Sequence, residues 1–146
     1  MLLCLLLLYG CTVLQPQKME QQGPPVPQTG KTLAVELGGS MFNLEIADTP
    51  EEHLKGLSGR RELAEDGGML FIYSEARDLV FWMDNTLLPL TLLYISEEGE
   101  ILSIHDMYPN DRSAVVSPGP VQYVIEVRLG ALSEAEKLIG QHLQLP

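Results

Sequence analysis

The sequence predicts a mainly β domain, built as an antiparallel β-sandwich or a partly closed barrel with two short helices. Three observations lead to this prediction. Several short segments alternate apolar and polar residues with a period of two. Gly, Pro, Asn and Asp separate these segments at the spacing of turns. Two capping motifs mark the short helices. The chain has 146 residues, which favours one domain.

The first two predicted strands form a hairpin. Residues 31–37 and 41–47 both alternate, and each places its apolar side chains on one face. The turn Gly38-Gly39-Ser40 lies between them, and paired glycines are typical of tight β-turns.

Both predicted helices are recognised by their first turns. In the first, Thr49 can cap the helix, Pro50 suits its first position and Glu52 completes a capping box. Gly56 ends this helix after less than two turns. A second capping box begins at Ser133 and predicts a short helix near the C-terminus.

The most apolar part of the globular region is residues 67–90, and it organises the predicted core. It contains two predicted central strands, residues 69–73 and 79–83, and the single tryptophan of the chain. Three further strands are predicted at residues 90–95, 101–105 and 121–127.

The composition argues against several functions. The formal net charge of −11 disfavours a nucleic-acid partner, because phosphate binding needs clustered Lys and Arg. Both cysteines, Cys4 and Cys11, precede the globular part, which therefore has no thiolate for zinc or for catalysis. Metalloprotease, hydrolase-elbow and phosphate-loop motifs are absent from the sequence. We therefore expect neither a metal nor a cofactor.

Residues 1–11 are predicted to be a signal peptide. The apolar run that fills them is too short for the ~30 Å core of a bilayer and suits a secretory signal. It ends in Leu8-Tyr9-Gly10-Cys11, which resembles the lipobox of bacterial lipoproteins, although Tyr9 is bulky for its position and no basic residue precedes the run.

This N-terminus predicts an envelope location. Cys11 is the expected lipid attachment site, which would make the membrane a partner of the chain. Residues 12–30 are rich in Gln and Pro and predict a disordered tether, followed by the domain over residues 31–146. We expect a membrane-anchored lipoprotein of the bacterial envelope, with a secreted protein as the alternative.

The candidate ligand-binding residues are Trp82 in the second central strand, Asn85 and Thr86 in the turn that follows it, and Arg60 and Glu126 elsewhere in the chain. Trp82 is either a core side chain or a platform on which a sugar or another planar group stacks. Asn85 and Thr86 either shape the following turn or line the rim of a pocket at Trp82.

Glu126 is the weak candidate for a catalytic residue. It interrupts an apolar strand on the face opposite Tyr123 and Ile125. It either faces water or is covered, in which case it needs a partner because a buried charge is costly unpaired. Arg60 is the expected partner, with Arg61 as the alternative, and such a pairing would favour a structural ion pair over catalysis.

The chain resembles the domain of unknown function 192 family from about residue 33 to residue 145. The residues that carry the resemblance are 47–52, Gly56-Leu57, Arg60, Gly68-Met69-Leu70-Phe71, Phe81-Trp82-Met83, Asn85-Thr86, Pro89-Leu90, 123–127 and Gly130. The resemblance implies an all-β domain with minor helices, often exported or anchored at the bacterial envelope. It implies no established activity.

Three positions depart from the family pattern. Ser58 stands where Met is usual, Asp84 where Lys is usual, and Thr91 where Asp is usual. The last departure removes one possible catalytic carboxylate. We therefore expect a non-catalytic binding or accessory module for a cell-wall, glycan or protein partner. The alternative is a hydrolase of an envelope polymer with Glu126 as its acid or base.

Overall fold

A six-stranded mixed sheet is the scaffold of the domain in the computed structural model, which describes residues 30–146. The strands are β1 Thr32–Leu37, β2 Ser40–Ala47, β3 Gly67–Arg77, β4 Val80–Phe81, β5 Leu90–Ile95, β6 Ile101–Met107, β7 Val115–Val116 and β8 Val121–Arg128. The main sheet has the order β1-β2-β3-β8-β5-β6, and β4 pairs with β7 in a small second sheet. Helix α1 spans Pro50–Lys55, and a 3-10 helix spans Ala135–Leu138.

The predicted mainly β class is confirmed, but two details of the prediction were wrong. The main sheet is not antiparallel throughout, because β2 and β3 are parallel. It also does not close into a barrel, since β1 and β6 remain at its two edges. A parallel pair needs a crossover connection, and the segment that contains α1 supplies it.

The N-terminal hairpin and the first helix form as the sequence predicts. Strands β1 and β2 pair antiparallel across the glycine turn. In the capping box of α1, the Glu52 amide donates to Thr49 Oγ1 at 3.3 Å and the Thr49 amide donates to Glu52 Oε2 at 3.2 Å. Gly56 follows the helix with a φ of 46°, a conformation that favours glycine.

The predictions of a capped C-terminal helix and of a second central strand were both wrong. The C-terminal segment forms only a four-residue 3-10 helix, preceded by Glu134 in a left-handed conformation without a side-chain cap. Of the predicted strand at residues 79–83, only β4 is extended, and it belongs to the small sheet. An apolar run can pack onto a sheet face as well as within the sheet, which periodicity does not distinguish.

Each face of the main sheet carries its own buried cluster. One face holds Phe71, Leu92, Tyr94 and Val124, and the β4 side chain Phe81 packs against them. The other face holds Leu70, Leu93 and Ile125 together with Leu138 of the 3-10 helix. Because strand side chains alternate between faces, Glu126 lies on the same face as Val124.

The predicted signal peptide, and the tether apart from Gly30, lie outside the described residues. Lipidation at Cys11 therefore stays a prediction from sequence. No helix within residues 30–146 is long and apolar enough to cross a membrane.

Candidate functional site

A cavity of about 480 Å³ opens on the covered face of the main sheet. Helix α1 and the loop after it form one side, and β4 with the turn that follows forms the other. Strands β3 and β8 lie beneath. The lining residues that matter for its chemistry are His53, Ser58, Phe71, Tyr73, Trp82 and Glu126.

Glu126 supplies the carboxyl group at the floor of this cavity. It lies near the centre of the sheet, opposite Met69 on β3 and Leu92 on β5, which are both buried. Its own side is covered as well, because Glu126 is 5% exposed. Among the described residues, none forms a hydrogen bond or an ion pair with its carboxyl group.

Burial without a partner controls the ionisation of Glu126. Desolvation disfavours the charged form of a carboxyl group and raises the pKa of Glu126 from 4.5 to about 8. The carboxyl is therefore mostly protonated at neutral pH. A protonated carboxyl can donate a hydrogen bond or a proton, whereas the ionised form can only accept.

A close approach of two strands fixes the backbone of Glu126. A Cβ atom at Gly68 would lie 2.5 Å from the Glu126 carbonyl oxygen and 2.7 Å from Leu44 Cδ2. Only glycine fits at such a separation. The Gly68-Met69-Leu70-Phe71 motif therefore brings β3 directly against β8 beside the buried carboxyl.

Trp82 stands at the mouth of the cavity because its two neighbours face inward. The Phe81 ring packs edge-on to Phe71 at 5.1 Å and to Tyr94 at 6.0 Å between ring centroids. On the other side, Met83 is buried. Trp82 lies between these two inward-facing side chains and points outward, with 54% of its surface exposed. Of the two interpretations, the core side chain does not fit this exposure.

Asn85 and Thr86 both line the cavity, but they bond mainly to the protein itself. Asn85 Nδ2 donates to Ser58 Oγ at 3.0 Å, and the Gly59 amide donates to the Asn85 carbonyl at 2.8 Å. These bonds join the two sides of the cavity mouth. Asn85 has a φ of 52°, which asparagine tolerates well. Thr86 is buried, and its carbonyl accepts from the Asn110 amide at 3.1 Å.

His53 and Tyr73 form the wall beneath α1, and no pattern in the sequence grouped them with Trp82. The His53 Nε2 atom lies 3.0 Å from the Ala47 carbonyl and 3.1 Å from the Ile72 carbonyl, so it acts as the donor. Its ring lies 4.2 Å from that of Tyr73. Burial raises the pKa of Tyr73. The alternation of Phe71 and Tyr73 in β3 was the available signal for this wall.

The expected pairing of Arg60 with Glu126 was wrong. Its guanidinium forms a two-pronged ion pair with Glu45, in which Nη2 donates to Oε2 at 2.6 Å. Both side chains are buried, and they lie outside the cavity that Glu126 lines. Arg61, the alternative partner, is exposed. Arg60 is therefore a structural residue and not part of the candidate ligand site.

The three departures from the family pattern fall in different places. Ser58 and Asp84 line the cavity, where Asp84 accepts a hydrogen bond from Arg112 Nε at 2.8 Å. Thr91 is buried elsewhere, and its hydroxyl donates to Asp106 at 3.1 Å. The missing acid at position 91 therefore does not alter the Glu126 cavity.

The described part of the chain contains no group of three or more His, Cys, Asp and Glu side chains arranged to hold a metal ion.

Comparison with protein families decides the membership of the chain. Residues 33–145 match the DUF192 family, described as "Uncharacterized ACR". This chain belongs to the DUF192 family. The comparison with curated proteins finds no match.

Two solved structures are similar in fold to this chain. One is a protein from Sinorhizobium meliloti 1021, described as a candidate transcription regulator, with 33% identity and a TM-score of 0.67. That comparison covers 76% of this chain and 89% of the other. The second is a protein of unknown function from Novosphingobium aromaticivorans DSM 12444, with 27% identity and a TM-score of 0.69. This second comparison covers 86% of this chain and 95% of the Novosphingobium protein.

Proposed function

We propose that this DUF192 domain is a non-catalytic binding module whose cavity receives a small organic group of an envelope ligand. The observation that carries the proposal is the Glu126 carboxyl, which is buried, has no partner within residues 30–146 and lies at the floor of an open cavity. An unsatisfied buried polar group costs roughly 1–3 kcal/mol. A ligand that supplies the missing hydrogen bond recovers this free energy as affinity.

Trp82 supports the same proposal from the mouth of the cavity. An exposed indole beside a concave site offers a large, rigid face to a sugar ring or another planar group. The bonds between Asn85 and Ser58 hold the turn that follows Trp82 in place. The ligand can thus contact an aromatic platform outside and a carboxyl group inside.

A hydrolase with Glu126 as its acid or base is the second candidate. It is favoured by the raised pKa of Glu126, since a general acid works best with a pKa near the working pH. Such chemistry needs a second titratable group. Asp84 and His53 are titratable and line the cavity. Asp84, however, accepts a hydrogen bond from Arg112, and His53 donates to backbone carbonyls. This engagement favours binding over catalysis.

The S. meliloti relative is described as a candidate transcription regulator. Carried over to this chain, that description would require a surface for nucleic acid or for a regulatory protein. The net charge of −11 opposes the first, because DNA affinity depends on neutralising phosphates with cations. We therefore keep an envelope ligand as the proposed partner.

The single tryptophan allows the binding proposal to be tested directly. We expect Trp82 emission of the full-length chain to shift saturably with one member of a panel of muropeptides and oligosaccharides, and not with divalent metals. Glu126→Leu removes the polar atoms of the floor and should weaken that binding at least about tenfold, which corresponds to 1.4 kcal/mol. Analysis of the bound ligand for cleavage products separates a binder from a hydrolase.

Glu51→Leu is the matched control, because Glu51 is exposed on α1 and lies outside the cavity. This variant should bind as the wild type does. If no panel member changes Trp82 emission, or if Glu126→Leu binds normally, the cavity is not the ligand site.

The envelope location is a separate proposal that depends on Cys11. We expect the full-length chain, expressed in a bacterium with labelled fatty acid, to incorporate the label and to sediment with membranes. Cys11→Ser should do neither. Equal labelling of both proteins would contradict lipidation at this residue.

A further inference from the structure

We infer that the ligand carries a cationic nitrogen group with N–H donors, a guanidinium or an alkylammonium, and places it against the Glu126 carboxyl. This inference rests on the proposed function, because it names the chemical class that the same cavity receives. Three features lead to it: an acid without a counter-ion among the described residues, aromatic walls and the acidic net charge of the chain.

The missing counter-ion is the first feature. A buried carboxylate is normally paired with a cation or with several donors, and Glu126 has neither among the described residues. The neighbouring arginines are committed elsewhere: Arg60 to Glu45, Arg112 to Asp84 and Arg77 to the ring of Tyr73, 4.7 Å from its centroid. Lys55 ends α1 at the rim, is exposed and forms no ion pair within the described chain. A ligand can therefore supply the cation.

The aromatic walls are the second feature. The rings of Phe71, Tyr73, Phe81 and Trp82 all line the cavity. Such rings attract a cation over their faces, most strongly at tryptophan and when the cation is partly desolvated. A guanidinium suits this environment best, because it is planar, is weakly hydrated and can donate two parallel hydrogen bonds to one carboxylate. A quaternary ammonium would leave the carboxylate oxygens without donors.

The charge of the chain points the same way. The formal net charge of the chain is −11, which favours the approach of a cation from solution, whereas at the mouth itself Asp84 is paired with Arg112. The titratable groups near Glu126 are His53 and Lys55 from α1, Tyr73 from β3, Asp84 from the turn after β4, and Tyr94 from β5.

Binding of a cation must be linked to loss of a proton. Glu126 is mostly protonated at pH 7, since burial raises its pKa to about 8. A cation pairs with the ionised form, so each cation bound should release about one proton at pH 7. For the same reason, affinity should rise about tenfold per pH unit up to about pH 8 and then level off. A neutral ligand that accepts a hydrogen bond from the protonated acid would release no proton.

Three probes that share a butyl chain and differ in the head group separate these cases. We would titrate the full-length chain with butylguanidinium, butylammonium and butylurea, following Trp82 emission and heat in two buffers of different ionisation enthalpy. Butylurea has nearly the shape of butylguanidinium without its charge. We expect butylguanidinium to bind with release of about one proton, and Glu126→Gln to weaken it at least about 30-fold at pH 8. Glu51→Gln makes the same change on the exposed face of α1 and should bind normally.

The outcomes distinguish this inference from the proposed function. Binding of butylguanidinium or butylammonium with proton release, lost in Glu126→Gln, supports a cationic ligand and shows which nitrogen group is preferred. Equal binding of butylurea without proton release overturns the cation but leaves a ligand site at Glu126. If no probe binds while the glycan panel does, the cation is again overturned and the proposed function stands. If the panel fails too, both are wrong.

Discussion

We expect the stability of the wild-type chain, measured against Glu126→Gln, to fall by about 5 kcal/mol in total as the pH rises from well below 4.5 to well above 8. The physical reason is the cost of ionising a carboxyl group that folding largely removes from water. The pKa of Glu126 rises from 4.5 to about 8 on folding, and each pKa unit is worth about 1.4 kcal/mol. The magnitude is of this order, and the direction is fixed by the sign of the pKa shift.

The direction follows from proton linkage. Between the two pKa values, the folded chain holds the Glu126 proton while the unfolded chain has lost it. The folded state therefore binds more protons, and the free energy of unfolding decreases as pH rises. The loss begins above the unfolded pKa of 4.5 and is complete above the folded pKa of about 8.

Urea unfolding at a series of pH values measures this prediction. Glu126→Gln keeps the size of the side chain and does not titrate, so subtracting its curve cancels the contributions of the other titratable groups. A wild-type curve that runs parallel to that of Glu126→Gln from pH 4.5 to 8 would show that the folded Glu126 carboxyl has an ordinary pKa.

Replacing Arg60 with Met should cost roughly 3–5 kcal/mol of folding free energy. The substitution leaves the Glu45 carboxylate buried without its two-pronged partner, which is the costly way to break a buried ion pair. Removing both charges, as Arg60→Met with Glu45→Met, should recover most of this loss. Chemical denaturation at pH 7 gives both values.

The exposed pair between Lys31 and Asp48 provides the control. Its side chains are 43% and 42% exposed, and Lys31→Met should cost less than about 1 kcal/mol. If Arg60→Met costs no more than Lys31→Met, the Arg60–Glu45 pair is solvated in solution. The assignment of Arg60 as a structural residue would then be wrong.

Local patterns in the sequence determined much of the fold. The glycine turn between β1 and β2, the capping box of α1 and the alternation in β8 are all short-range signals, and the corresponding elements form near the predicted positions. The parallel pairing of β2 with β3 is different. It depends on which strands meet after a crossover, and side-chain periodicity carries no information about strand order.

The candidate site was predictable only in part. The outward position of Trp82 follows once Phe81 and Met83 are known to face inward. Because nearly every residue of this run is apolar, the sequence did not show which of its side chains face the core. The position of Glu126 on the face opposite Ile125 was readable from alternation. The sequence did not show that Glu126 lacks a partner. Whether Arg60 pairs with Glu45 or with Glu126 depends on a loop conformation.

The most direct test of the central claim is the pKa of the Glu126 side chain itself. We would label the glutamates of the full-length chain with 13C at Cδ, assign Glu126 from the signal missing in Glu126→Gln, and follow its chemical shift from pH 3 to 10. The account predicts titration near pH 8 in the free protein and a much lower pKa with saturating butylguanidinium. Titration near pH 4.5 in the free protein would contradict it, since Glu126 would then be solvated or paired and not the unpartnered floor of a ligand cavity.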